Sequence, residues 1–248
     1  KAHRAGFYRD DGKRYHTMSL YTTTKTALPQ SVSISDLKRD KFLKFRFPPV
    51  NAQELRLSSI DSNLIHMDKV SFQYDKGLEE KNVVLKDVTL QVNLRSRIAI
   101  VGENGAGKTT LIKLLCGTLQ GSGEIARHPN LRIAMVSQHH IEMLRDHMDI
   151  SATQYLTAHF SNVKEVDARS HLGLFGLAGE LALQPVGKLS GGQKARLALA
   201  IVMWEKPHVL ILDEPTNHLD MDSIRALATG LNEFQGAVLL VSHNQGFL

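Results

Sequence analysis

Apolar and polar positions change period repeatedly along this 248-residue chain. In LIHMDKVSFQY (64–74), Ile65 and Met67, then Val70, Phe72 and Tyr74, recur at every second position, the period of a strand with one covered face. VVLKDVTLQV (83–92) and RIAIVG (97–102) read as further strands. AGKTTLIKLLCG (106–117) reads as a helix that stops at Gly117, and RIAMVSQ (132–138) returns to strand. Residues 149–185 mix helical patterns with glycine-rich turns, and GGQKARLALAIVMW (191–204) places Leu197, Ile201 and Trp204 on one helical face. HVLILD (208–213) and AVLLVSH (237–243) are short and almost wholly apolar, as parallel strands covered on both sides are. Between them DSIRALATGL (222–231) carries Ile224, Leu227 and Leu231 on one helical stripe. Strands alternating with helices predict an α/β fold.

Composition removes several classes. Apolar residues make up 42% of the chain, enough for a substantial core in one domain with an extension, or in two small domains. The one cysteine, Cys116, has no partner for an internal disulfide, which points to a reducing compartment. The longest apolar runs, VLIL and AVLLV, have strand length and fall far short of the ~18 residues of a membrane helix. No signal peptide opens the chain, and it begins at Lys1, so a piece of a longer protein is expected.

Charge then divides the chain. Residues 1–58 hold 12 Lys and Arg against 5 Asp and Glu, whereas the remaining 190 hold 18 against 20, so the excess of positive charge lies in the N-terminal segment. Within it, SLYTTTKTALPQSVSISD (19–36) reads as linker or irregular surface. KRDKFLKFRFPPV (38–50) interleaves Lys and Arg with Phe. It reads either as a solvated linker that tacks its Phe residues onto a neighbouring domain, or as a basic-aromatic surface for RNA or another anion. Residues 1–58 are expected to be an extension and residues 59–248 the folded domain.

Two motifs carry chemistry. GENGAGKTT (102–110) matches G-x-x-x-x-G-K-[ST], with a strand ending at Val101 and a helix beginning after Gly107. Gly102, Gly105 and Gly107, with Asn104 and Ala106 among them, let the backbone turn its N–H groups inward. Those donors and the positive end of the helix bind phosphate oxygens. Lys108 is placed to bridge the β- and γ-phosphates and Thr109 to give its hydroxyl to Mg²⁺, while Thr110 closes the motif. The second motif is LDEPTNHLD (212–220), at the C-terminal end of an apolar strand, where ligands gather in open α/β sheets. There Asp213 suits a Mg²⁺ ligand acting through water, and Glu214 a base that accepts a proton from an attacking water. By contrast His139, His140 and His147 fit no metal geometry and read as solvated, and Cys116 reads as a small buried residue.

With these two motifs in place, KLSGGQKARLALA (188–200) resembles the signature motif of the ATP-binding cassette (ABC) ATPases, and its Gln193 stands 20 residues before Asp213 as in that family. Gln138, 30 residues after Lys108, matches the Q-loop glutamine, and His243 in LLVSH matches the switch histidine. Tyr74 stands where the family has an aromatic that stacks on adenine, with Phe72 as the alternative. The resemblance covers about residues 64–248. It implies a P-loop NTPase core of ABC type with an antiparallel β subdomain and an inserted helical subdomain at about 139–204. It implies ATP and Mg²⁺ as ligands, with Thr109, Gln138 and Asp213 at the metal. It implies that Ser190, Gly191, Gly192 and Gln193, at a helix start, face the γ-phosphate held by a second cassette, with Asp220 at that interface and His243 orienting water.

EPTNHLD and SHNQGFL resemble the ABC-F proteins, which carry two cassettes on one chain, lack membrane spans and act on ribosomes. SQHH and VMWEKPHVLILDEPTNHLD look like the second cassette of eukaryotic members, and FRFPP like the stretch leading into it. On this resemblance residues 1–58 are an inter-cassette linker, the chain lacks its first cassette and its own C-terminal tail, and the protein is a cytoplasmic ATPase with a ribosome or RNA partner and no membrane partner. The alternatives are the nucleotide-binding subunit of a membrane transporter, which NHLD argues against, a chromosome or DNA-repair ATPase, and a non-catalytic scaffold. Leu189 follows Lys108 by only 81 residues, too few for the long insertion of the repair enzymes, and an intact Lys108, Asp213, Glu214 and His243 argue against a scaffold.

Overall fold

A computed structural model describes residues 2–5, 18–23, 43–75, 81–137, 142–215 and 219–242. The strands are β1 (Ala2–Ala5), β2 (Met18–Thr23), β3 (Ile65–Asp75), β4 (Lys81–Val92), β5 (Arg97–Val101), β6 (Ser122–Arg127), β7 (Ile133–Val136), β8 (Val209–Asp213) and β9 (Ala237–Ser242). The helices are α1 (Lys108–Cys116), α2 (Ala152–His159), α3 (Glu165–Gly173), α4 (Glu180–Leu183), α5 (Gly191–Trp204) and α6 (Met221–Glu233). One sheet runs in the order β1-β2-β5-β9-β8-β7. Its members β5, β9, β8 and β7 are parallel, as the short apolar strands predict. The other sheet, β4-β3-β6, is antiparallel.

Strand alternation explains the two layers. Val209 and Ile211 of β8 point into one apolar core with Leu111 and Leu115 of α1 and Val70 and Leu85 of the antiparallel sheet. Leu210 and Leu212 point the opposite way, into a second core with Leu197 and Met203 of α5, Leu227 of α6, and Leu156, Leu172 and Phe175 of the helices that follow β7. Every residue from Val209 to Leu212 is fully buried. At ~25 cal/mol per Å² of apolar surface, covering a strand from both sides is the main stabilising term here. The helical layer begins with a capping box in which Ser151 and Gln154 satisfy each other's backbone N–H groups, fixing the start of α2.

Three local readings change. Ser19–Thr23 was read as irregular, yet it forms part of β2, antiparallel to β5 from Ser19↔Val101 to Thr23↔Arg97. SLYTT has no clean alternation to announce a strand; the open edge of β5 orders it. On α6 the fully buried positions are Ser223, Ala226, Leu227 and Gly230, while Ile224 and Leu231 are half-buried. The stripe is displaced because the chain at Phe45 and Phe47 lies directly on Gly230. Cys116 is only half-buried; burial pushes its thiol pKa up, opposed by the nearby Arg127. Arg127 itself reaches the end of α1, where its guanidinium donates to the carbonyls of Leu114 and Leu115.

The chain leading into the domain is tied to the base of the sheet. Arg132 binds the Glu54 carboxylate, and its backbone N–H donates to Nδ1 of the fully buried His208 at 3.0 Å. Nε2 of His208 donates to the Asn51 carbonyl at 3.4 Å, so the ring is held neutral with its proton on Nε2. Burial, then the Arg132 charge, lower its pKa. The unfolded chain, with His near 6.5, therefore takes the proton first, and stability present above that pH is lost as pH falls below it. His171, buried with Nε2 on the Ala200 carbonyl, shifts in the same direction because of its burial. Urea midpoints are expected to fall between pH 7.5 and pH 5.5, and His208→Asn is expected to flatten that fall without abolishing it; an unchanged slope in the variant would assign the effect elsewhere.

Candidate functional site

The turn between β5 and α1 is shaped by two glycines in the left-handed region, Gly105 at φ 83° and Gly107 at φ 89°. Gly107 is also spatially restricted: a Cβ there would lie 3.0 Å from both Leu85 Cδ2 and Val84 Cγ1. The Ala106 N–H closes the turn on the Glu103 carbonyl at 3.2 Å, and the Leu111 N–H makes the first helical bond to the Gly107 carbonyl at 2.9 Å. The opening N–H groups of α1 have no partner within the helix, which makes this end an anion seat. Lys108 Nζ folds back over the loop, donating to the Gly102 carbonyl at 2.6 Å and the Glu103 carbonyl at 3.1 Å.

A cavity of about 520 Å³ opens over this loop, bounded by Tyr74 and Val84 on one side and Asp213 and Glu214 on the other. Asn104, Ala106, Thr109 and Thr110 also line it. The Tyr74 hydroxyl lies 3.2 Å from Thr110 Oγ1, and Phe72 packs edge-on behind the Tyr74 ring with centroids 4.9 Å apart. Of the two aromatic candidates, Tyr74 is thus the one that lines the cavity.

The acidic pair differs in environment. Burial raises the pKa of Asp213, the neighbouring Glu214 raises it further, and Lys108 opposes both. Glu214 adopts φ 49°, left-handed for a residue with a side chain and placed directly before Pro215. Such a conformation costs on the order of 1–3 kcal/mol and persists only where the surroundings enforce it. Here the Glu214 N–H is held on the Val241 carbonyl of β9 at 3.0 Å. Nothing in the sequence signalled this conformation.

The remaining candidates form a second group outside that cavity. Ser190 caps α5: its Oγ accepts from the Gln193 N–H at 3.2 Å, and its own N–H donates to Gln193 Oε1 at 2.8 Å. The hydroxyl proton of Ser190 stays available to an outside acceptor. Asp220 caps α6, accepting from the Ser223 N–H at 2.7 Å, a bond that lowers its pKa. The two helix starts meet, since a Cβ on Gly192 would lie 2.6 Å from Asp220 Oδ2. Behind them Arg196 is attracted to Asp220, and its buried Nε has no hydrogen-bond partner among the described residues. Arg196 was not singled out from the sequence, where it reads as one more helix-surface cation. Gln138, His139, His140, Asn217, His218 and His243 lie outside the described residues. Asp220→Ala is expected to cost about 1 kcal/mol through loss of the cap, while Asp220→Asn retains most of it; equal losses in chemical denaturation would refute the capping role.

Comparison with known proteins follows this geometry. The ABC transporter family model matches residues 85–217. An uncharacterized ABC transporter ATP-binding protein of Schizosaccharomyces pombe is 45% identical over 207 residues, 83% of this chain and 26% of that protein. Human ATP-binding cassette sub-family F member 3 is 45% identical over 75% of this chain and 25% of its own length. Protein GCN20 of Saccharomyces cerevisiae is 42% identical over 84% of this chain and 26% of its own. The chain thus spans about a quarter of the length of the curated relatives it matches. Among solved structures, a dimeric post-hydrolysis ATP-binding cassette bound to ADP and Pi superposes with a TM-score of 0.58 at 22% identity, covering 74% of this chain and 89% of that one, a likeness of fold. Fold, phosphate loop and matched family model agree: the chain belongs to the ATP-binding cassette family, in the F subfamily.

Proposed function

We propose that this chain is one cassette of a twin-cassette, cytoplasmic ABC-F protein that binds ATP with Mg²⁺, hydrolyses it at a head-to-tail interface between cassettes, and acts on the ribosome. The observation that carries the reading is the division of the site. The phosphate loop and acidic pair share one cavity, whereas the capped start of α5, the second anion seat, does not line it. A site divided in this way is complete only when a second cassette supplies the other half. The relatives named as sub-family F proteins and the basic segment 1–58 favour a ribosomal partner, and no helix among the described residues is long and apolar enough to cross a membrane.

The residues suit both ligands. The Thr109 hydroxyl and the Asp213 carboxylate line one cavity, and Mg²⁺ takes oxygen donors. The crowding of Asp213 by Glu214 is relieved by a cation, and Gln138 is the third residue assigned to it. Bound there, Mg²⁺ would neutralise charge on the phosphate oxygens. Lys108 exchanges its loop carbonyls for the β- and γ-phosphates, and Tyr74 stacks on the adenine. Glu214, held by its backbone at Val241, takes the proton of the attacking water, and His243 orients that water. Ser190, Gly191, Gly192 and Gln193 meet the γ-phosphate of the partner cassette, with Asp220 beside them. Residues 1–58 serve as the inter-cassette linker and the helices near 139–204 as the inserted helical subdomain.

In the full-length protein, Lys108→Ala is expected to weaken ATP binding at this site by at least about tenfold by titration calorimetry, from loss of its charged hydrogen bonds to the phosphates. Glu214→Gln is expected to lower turnover at this site about 100-fold or more while ATP still binds, and to increase ATP-dependent co-sedimentation with ribosomes. Wild-type turnover in Glu214→Gln rejects the base assignment, and ATP-independent sedimentation rejects the ribosomal role.

A further inference from the structure

The chain before β3 does more than lead into the domain. Phe45 is 1% exposed and its ring meets Phe175 at 5.9 Å. Phe47 meets the same Phe175 at 5.9 Å and, edge-on, Phe234 at 5.7 Å. Between them the Arg46 N–H donates to the Leu174 carbonyl at 3.0 Å. Phe175 and Leu174 follow α3 in the helical layer, while Phe234 ends α6, which packs on the sheet. Residues 43–47 therefore touch the end of α3 and the end of α6 with the same rings, inside one core.

Two glycines make room for this segment. A Cβ on Gly230 of α6 would lie 3.1 Å from both the Phe45 carbonyl oxygen and Phe47 Cε2. One on Gly176 would lie 2.3 Å from Leu43 Cδ1 and 3.0 Å from Arg196 Nη1. Leu43 thus borders the arginine that faces Asp220. Downstream, Val50 packs against both apolar cores, and Asn51 and Glu54 are fixed to His208 and Arg132 at the base of the sheet. One end is anchored and the middle is wedged between α6 and the chain that follows α3.

We propose that residues 43–50 are a strap that sets the tilt of the helical layer on the sheet, which makes Phe47 and Gly230 positioning residues for ATP turnover. Close-packed rings cannot follow a tilt continuously; they slide or separate. α5 shares the core of Phe45 and Phe175 and its start meets α6 at Asp220, whereas the phosphate loop opens α1 on the other face of the sheet, so the strap governs how the two halves of the site are aimed. The inference rests on the proposed binding and hydrolysis of ATP between two cassettes.

The test uses the full-length protein with Phe47→Ala and Gly230→Leu. The second variant removes no ring, and leucine is a better helix former than glycine, so α6 is not weakened by it. Hydrogen exchange is read with and without MgATP for residues 43–50, 165–177 and 102–110, beside ATP turnover. In the parent protein, ATP is expected to protect 102–110 and to change exchange at 43–50 and 165–177 together. In both variants protection of 102–110 persists, the response of 43–50 is lost, and kcat falls at least about tenfold with KM for ATP within about twofold, as small misplacements do. Should Phe47→Ala fail to fold, Gly230→Leu decides alone. An ATP response confined to 102–110 and 165–177 in the parent, or an unchanged kcat in folded Gly230→Leu, overturns the strap. If 102–110 is not protected in the parent, the nucleotide reading itself fails, and the strap's role in turnover fails with it.

Discussion

Burial of the first four residues of β8 from both sides is the constraint on which the rest depends. Val209–Leu212 exposes nothing to solvent, so each face needs a cover, and the two covers are different structures. One is α1 with the antiparallel sheet, the other the helical layer with α6. The strand carries no polar residue until it leaves the sandwich, and the first is its last residue, Asp213. The same geometry that excludes water from the strand therefore delivers a partly desolvated carboxylate to the mouth of the cavity, beside the loop that β5 delivers from the next strand but one.

The site's halves are kept apart by the same layering. α1 begins on one side of the sheet and α5 on the other, and each presents its N-terminal end outward. At Gly192 and Asp220 two helix starts touch, so closely that a side chain at position 192 would displace the Asp220 carboxylate. Arg196 lies behind this junction and Leu43 beside Arg196, which links the strap to the starts of α5 and α6.

Much of this was legible in the sequence because it is written in local patterns. Period-two and fully apolar runs predicted β3, β5, β8 and β9, and the glycine spacing of 102–108 predicted the loop and the start of α1 at Lys108. The order of the motifs was enough to name the family. What escaped were features set by distant residues. β2 depends on the edge of β5 about 75 residues later, the burial of Gly230 on α6 depends on Phe45 and Phe47 lying against it, and the left-handed Glu214 depends on a carbonyl in β9. One sequence reading, that the phenylalanines of 38–50 tack onto a neighbouring domain, describes Phe45 and Phe47, although both layers they join belong to the same fold.

The pairing of β2 with β5 has a consequence for how the chain is made. β5 ends at Val101 and its parallel neighbour β9 begins only at Ala237, so during vectorial synthesis β5 emerges long before that partner exists. Parallel strands waiting for distant neighbours are exposed to association with other chains. β2 is synthesised first and lies on the opposite edge of β5, where it can shield the strand bearing the phosphate loop until the sheet closes. The β1–β2 pair thereby covers the edge of the strand that leads into the phosphate loop, leaving β5 flanked on both sides in the finished sheet.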